Sequence, residues 1–348
     1  MRNWLAVAVD GSVTDALLAN ARAGDQGAFT AVVEGHRREL LGHAYRMLGS
    51  TADAEDAVQE ALLAAWRALP GFEGRSSLRT WLFRITTNAC LRVASKRPPR
   101  LSSPEHGPPR SDVHDLGEPV PGPVWLEPIA DELVQPQEDL DPATATVRRE
   151  SVELAFVAAL QHLPATQRAV LLLRDVLAFS AAETAEALGT SVASANSALQ
   201  RARATLAERR PDRSQQAELA ALGDAGRRAL VDAFVTAWER ADVPALVGLL
   251  AADARFTMPP LPAWFSGRED VARFLGERVF ATPWRLVPIE ANGQVAFACY
   301  SGDGSRYRLG AVNVLSLRSG SVAWIAGFVD PAALRPLGLP GDLSAQDR

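Results

Sequence analysis
The chain has 348 residues, 47% hydrophobic and 22% charged, which marks a soluble globular protein long enough for two or three domains with separate cores. A formal net charge of −5 argues against indiscriminate, tight binding to bare nucleic acid, so any DNA contact is local or depends on a partner. Cys90 and Cys299 fall in segments assigned to different domains and neither has a CxxC partner, which argues against a disulfide framework and a zinc site; no metal or cofactor is expected.

The apolar run Trp4 to Val9 ends at Asp10, too short for a secretory core or a membrane span. Residues 1–24 therefore read as a loose extension of a cytoplasmic protein. From Asp25 to Gly49 a helical pattern places Phe29, Val32, Val33, Leu40, Leu41, Ala44 and Leu48 on one side, with Asp25 as N-cap and Gly49 as stop. A second helix follows, capped by Ser50 or Thr51, with Ala54, Val58, Leu62, Ala65 and Leu69 as its seam and Pro70-Gly71 ending it. Its outer face carries Asp53, Asp56 and Glu60, with Gln59 beside them. Acids there suit the helix dipole as well as they suit a partner.

A short polar loop leads to Ser76–Arg97, the segment around which the chain is organised. Leu78, Leu82, Ile85, Ala89 and Val93 form a buried stripe, while Thr80, Arg84, Asn88, Arg92 and Lys96 step by four along another face. The segment contains no carboxylate. Such a row can lie against a phosphodiester backbone and reach base edges, or it can be a solvated amphipathic face.

The stretches HRRELLGHAYRMLGSTADAEDAVQEALLAAWRAL and FEGRSSLRTWLFRITTNACLRVASKR resemble region two of the extracytoplasmic-function (ECF) sigma factors of bacterial RNA polymerase. The resemblance implies an acidic helix that docks on the coiled coil of the polymerase β′ subunit, with Asp53, Asp56, Gln59 and Glu60 at that motif. It also implies a loop and helix that melt and read the minus-ten promoter element. Gly74, Arg75, Ser76 and Ser77 then match the loop accepting a displaced base, and Thr80, Trp81, Arg84, Asn88, Arg92 and Lys96 match the reading helix. Trp81 is equally suited to a core position. Reading a melted strand needs a stacking surface and cations, and no catalytic residue.

Between residues 97 and 141 lie nearly half of the 23 prolines, with glycines and scattered acids, the composition of a linker without a packed core. The island Pro123-Val-Trp-Leu-Glu-Pro128, followed by Ile129 and Leu133, is apolar enough to dock on a neighbour. Asp141-Pro142 opens a helix expected to run to about Leu163. A helix restarts at Leu163-Pro164, with Val170 to Leu173 apolar. Ser180 to Glu183 forms a capping box, Gly189 turns the chain, and a last helix reaches about Arg209. This is a helix-turn-helix spacing.

The wording LPATQRAVLLLRDVLAFSAAETAEALGTS…NSALQRARATL resembles region four of the same sigma factors, which implies recognition of the minus-thirty-five element. On that match Ser194, Asn196, Ser197, Gln200 and Arg201 face bases or phosphates. Arg203, with Arg168 and Arg174, is a backbone clamp or an intramolecular partner. Asn196 and Ala198 stand where a basic pair is common in the family.

After the polar stretch Arg209 to Glu218, helices near 227–240, 243–250 and 269–278 enclose a strand at 254–258. Four further strands are expected near 285–290, 295–300, 306–317 and 322–329. They are punctuated by Asn292-Gly293, Gly302-Asp303-Gly304 and Ser319-Gly320. The order is similar to SnoaL-like domains of the nuclear-transport-factor-two (NTF2) superfamily. That implies an α+β cone whose mouth binds a small molecule, with Phe256, Met258, Trp264, Phe265, Phe297, Tyr300 and Trp324 as lining or as plain core. Some relatives are isomerases or cyclases, but every histidine lies at or before His162, and no buried general base is evident here.

The expected architecture is thus all-α region-two (25–97) and region-four (142–210) modules, a proline-rich linker (98–141), and an α+β cone (222–336) that packs on the modules or linker and regulates them. The expected partners are core RNA polymerase and promoter DNA, with no membrane. Two other readings stand beside it: a helix-turn-helix regulator acting without polymerase, and a SnoaL-type isomerase or cyclase with a helical tether.

Overall fold
The computed structural model describes residues 11–134, 142–209 and 211–344. The helical half runs α1 (Gly11–Arg22), α2 (Gln26–Leu48), α3 (Thr51–Ala68), α4 (Leu78–Ala94), α5 (Ser103–His106), α6 (Asp131–Val134), α7 (Pro142–Glu150), α8 (Leu154–Gln161), α9 (Ala165–Leu171), α10 (Ala181–Ala187) and α11 (Val192–Ala207). The C-terminal half continues with α12 (Gln215–Glu239), α13 (Val243–Leu249), β1 (Leu250–Thr257), β2 (Trp264–Ser266), α14 (Arg268–Glu277), β3 (Trp284–Ala291), β4 (Gln294–Gly302), β5 (Arg306–Arg318), β6 (Ser321–Phe328), α15 (Pro331–Leu334) and β7 (Asp342–Ser344).

Local chemistry sets these boundaries. The Asp25 carboxylate accepts from the Ala28 amide at 3.0 Å to open α2, and Gly49, at φ 69°, closes it with its N–H on the Tyr45 carbonyl. Ser50 then caps α3 through the Asp53 amide at 3.1 Å. A Cβ at Gly49 would also meet Leu126 at 2.9 Å, because the linker passes directly over this turn. Leu40, Tyr45, Met47, Val58 and Phe83 form one core that continues without a gap into Leu160, Leu172, Leu173 and Ala202 of the later helices. Both helical modules therefore share a single apolar interior.

Three expectations need revision. The extension is not loose from residue 11 on: α1 buries Ala21, and Arg22 donates to the Phe72 carbonyl with its guanidinium over that ring. Trp4 to Val9 lies outside the described residues. The linker is not without a core, since Trp125, Leu126 and Ile129 are buried and Val113 enters the C-terminal core; residues 135–141 lie outside the description. The helix expected over 142–163 breaks at Ser151–Glu153. There the Val152 carbonyl accepts from Asn292 and the Leu154 amide donates to Gln294, so a hairpin of the C-terminal half takes backbone groups that an unbroken helix would use itself.

The C-terminal half is a seven-stranded sheet in the order β2-β1-β6-β5-β4-β3, with β7 added to β5. Strands β1 and β6 are parallel and the other neighbours antiparallel. Tight turns occur where expected: Asn292-Gly293 (φ 56° and 63°) joins β3 to β4, and Ser319-Gly320 (φ 52° and 78°) joins β5 to β6. One face packs Phe234, Trp238, Phe256, Phe274 and Phe297 under α12 and α14. The opposite face receives Leu154 from the start of α8 and Leu334 from α15. Strand β4 is thus buried on both sides, which accounts for the unbroken apolar run Val295 to Tyr300.

The domain reaches further toward the N-terminus than residue 222. The side chain of Gln215 accepts from and donates to the Leu317 backbone at 2.6 and 3.0 Å, and Glu218 accepts from the Ser319 amide. The expected polar stretch therefore hides the first turns of α12, which bends at Gly223 (φ 66°).

Candidate polymerase and promoter surfaces
Of the four residues matched to the polymerase-docking motif, Asp56, Gln59 and Glu60 lie exposed on α3, and Asp53 does not. Asp53 is 6% exposed, paired with Arg97 and held at 2.5 Å by Arg100, itself buried. Arg100 also donates to Glu127 at 2.8 Å and to the Trp125 carbonyl at 2.9 Å, and Glu127 accepts from Ser50. The carboxylate expected on the outer face instead ties the linker to the N-terminal end of α3. Leu63, not singled out from the sequence, is 52% exposed one turn beyond Gln59 and Glu60. An isolated leucine at helical spacing from a polar row was its only signal.

Helix α4 is capped by Ser77, whose hydroxyl accepts from the Thr80 amide at 3.0 Å. Gly74, Arg75 and Ser77 are exposed and Ser76 half-buried, so the loop presents an open polar edge. Along the row, Asn88, Arg92 and Lys96 are exposed, and Arg92 pairs with Glu60 at 2.8 Å. The N-terminal half of the row is covered. Thr80 and Trp81 are each 6% exposed; the Trp81 ring lies 4.9 Å from that of Phe72, and the Thr80 hydroxyl donates to Glu183 at 3.3 Å. Arg84 faces Glu186 at 3.9 Å, and Arg79 lies over the rings of both Phe83 and Phe179. The first helix of the helix-turn-helix, α10, therefore sits on the expected reading face. Trp81 belongs to the core, the alternative that burial preference favours.

The second helix of that motif is open. Ser194, Asn196, Ser197, Gln200, Arg201 and Arg203 are all exposed on α11, although Arg203 is engaged in a bidentate pair with Asp175 at 2.7 and 2.9 Å. Arg168 is an intramolecular partner. It is buried, donates to the carbonyls of Met47, Leu160, Gln161 and Leu163, and burial pulls its pKa down to about 10. It pins the α8–α9 turn to the end of α2. Arg174 donates to the Phe179 carbonyl at 2.7 Å.

The residues expected to line one pocket in the cone are dispersed. Phe256, Met258, Phe265 and Phe297 are core, and stacked rings of Phe234 and Phe297 (4.9 Å) and of Phe265 and Phe274 (4.5 Å) occupy the interior. Tyr300 points to the opposite face with Tyr307. Trp264 donates to the Gly107 carbonyl of the linker, and Trp324 donates to Thr257 across the sheet. Among the described residues no cluster of three or more His, Cys, Asp and Glu side chains is placed to hold a metal, and no helix is long and apolar enough to cross a membrane.

Family models match along the chain: sigma-70 region 2 over residues 32–97, sigma-70 region 4 over 153–206, and a SnoaL-like domain over 231–325. The ECF RNA polymerase sigma factor SigG of Mycobacterium tuberculosis is 43% identical over 330 residues, which cover 93% of this chain and 86% of that protein. The chain belongs to the ECF RNA polymerase sigma factors. Another ECF sigma factor of that organism, SigJ, is 28% identical over 86% of this chain and 90% of its own length. A crystal structure of M. tuberculosis SigJ matches this fold with a TM-score of 0.56 at 24% identity, covering 87% of this chain and 97% of that one. This ECF sigma factor thus carries its two sigma modules and an NTF2-like cone on one polypeptide, and the relatives named here are sigma factors rather than enzymes.

Proposed function
We propose that this sigma factor docks on the β′ coiled coil of core RNA polymerase through Asp56, Gln59, Glu60 and Leu63 of α3, acting in the cytoplasm. Asp53 has a separate task, holding the linker. The loop 74–77 and the open end of the row, Asn88 and Arg92 of α4 with Lys96 just beyond it, then meet the melted minus-ten strand, while Ser194, Asn196, Ser197, Gln200 and Arg201 of α11 read the minus-thirty-five duplex. The observation that carries this reading is the adjacency of two unlike surfaces: an exposed carboxylate patch on α3 beside a cationic row on α4, joined by the Glu60–Arg92 pair. A protein that carries net negative charge gains little from DNA alone, so delivery by polymerase supplies the encounter.

The cone is read as a docking module rather than a catalyst. Aromatic rings fill its interior, and its hairpin and linker contacts reach both sigma modules. Run-off transcription with purified core polymerase tests the docking surface. Asp56→Arg should reduce polymerase affinity and transcript yield by an order of magnitude or more, a change of about 1.4 kcal/mol or greater. An unchanged yield would remove the α3 assignment.

A further inference from the structure
A β-hairpin tip ordinarily projects into water, and the one joining β3 to β4 does not. Asn292 is fully buried, in a left-handed conformation that its turn requires. Its Nδ2 donates to the Tyr45 hydroxyl at 2.7 Å and to the Val152 carbonyl at 2.9 Å, and its Oδ1 accepts from the Ile129 amide at 3.1 Å. The Asn292 amide donates in turn to the Ile129 carbonyl at 3.0 Å. These bonds end on parts of the chain far apart in sequence: helix α2, the linker, and the break between α7 and α8. The neighbours reinforce the joint. Gly293 donates to Asp131 at 2.7 Å and accepts from Gln216 at 2.6 Å, and Gln294 accepts from the Leu154 amide at 2.8 Å.

A polar joint of this kind behaves differently from an apolar one. Each group is satisfied only while all are in place, and a buried amide left unpaired loses about 1–3 kcal/mol, so the joint is made or broken as a unit. Once opened, the same groups are satisfied by water. Downstream of the joint the chain runs through α8 and the Arg168-pinned turn to Phe179 and α10, which lies across Thr80 and Arg84. We infer that the Asn292-Gly293 tip is a latch: seated between α2 and the α7–α8 break, it holds region four with α10 over the N-terminal half of α4, and its withdrawal uncovers that half for DNA. The inference rests on reading α4 as the minus-ten helix, and it goes beyond that reading by naming what keeps the helix covered.

The test uses the full chain with dyes on cysteines introduced at exposed Glu73 and Ala204, the native Cys90 and Cys299 being buried. Asn292→Gly keeps the left-handed turn and removes the amide; Tyr45→Phe removes only the hydroxyl and guards against a folding defect at the turn. Both should lower energy transfer between the dyes, Asn292→Gly more, and raise the affinity of the free chain for a single-stranded minus-ten oligonucleotide at least about fivefold. Unchanged transfer in both variants overturns the latch. Lowered transfer with no gain in oligonucleotide binding supports the latch and overturns the assignment of α4 instead.

Discussion

Helices α4 and α11 each present a polar row at helical spacing, and the structure treats them oppositely. The row on α11 is open from Ser194 to Arg203, whereas α4 has Thr80 and Trp81 buried and Arg84 facing a glutamate. The difference lies in what each helix packs against. α11 buries Ala195, Ala198, Leu199, Ala202 and Leu206, and its main neighbours are α9 and α10 of its own module. α4 is also the seat on which that module rests, through Phe83 and Phe179 in an edge contact at 5.6 Å. The covered end of α4 carries aromatic rings, Trp81 and Phe83, which are stable only out of water. The serine, asparagine and glutamine row of α11 can stand in water.

That contrast can be broken most forcefully at its apolar contact. Phe179→Ala removes a buried ring wedged between Phe83 and Arg79, and truncations of this kind lose about 3–5 kcal/mol. Urea unfolding should show that loss as a lower midpoint. A shift under about 1 kcal/mol would mean that α10 rests on α4 without depending on it. On the open helix the effect should be confined to recognition. Gln200→Ala should weaken discrimination among minus-thirty-five duplexes by about 1–3 kcal/mol in holoenzyme binding and leave the unfolding midpoint within about 0.5 kcal/mol.

A gentler change sharpens the contrast through the joint that maintains it. Burial pushes the Asp131 carboxyl up to about 6, with Glu290 adding to the rise and the Gly293 amide, Arg149 and Arg227 opposing it. Its folded pKa lies above the unfolded value, so the folded chain holds the proton more tightly, and its contribution to stability declines as pH rises from about 4 through 6. Asp131→Asn keeps an acceptor for Gly293 and abolishes the charge. It should raise stability by about 1 kcal/mol at pH 8 and by nothing near pH 3.5, where the native side chain is neutral. Thermal melts of both proteins at the two pH values decide this, and equal differences at both would assign the effect to something other than the charge.

The elements themselves were largely written in local sequence. Asp25, Gly49 and Ser50 announce the helix boundaries, and Asn292-Gly293 and Ser319-Gly320 announce hairpins, because each acts within a few residues of itself. What escaped was set by partners far along the chain. The expected place of Asp53 on an outer face fails because Arg100, 47 residues away, folds back onto it. Thr80 is covered by Glu183, which is 103 residues distant. The helix expected through Ser151–Glu153 has ordinary propensity and is interrupted by a hairpin 140 residues later. The aromatic residues of the cone were legible as large and apolar; which of them faced inward depended on a sheet whose second face is covered by Leu154 of the helical half together with the C-terminal residues Leu334, Leu339 and Leu343.

Gly49 shows how closely two of these levels can be bound together. The residue that ends α2 by turning left-handed is also the floor on which Leu126 rests. Helix termination alone would accept asparagine at such a turn, but the crossing strap leaves no room for one. One missing methyl group thus sets both where a rod stops and where the chain returns over it, so neither the rod's length nor the strap's route can drift in descendants of this protein without the other.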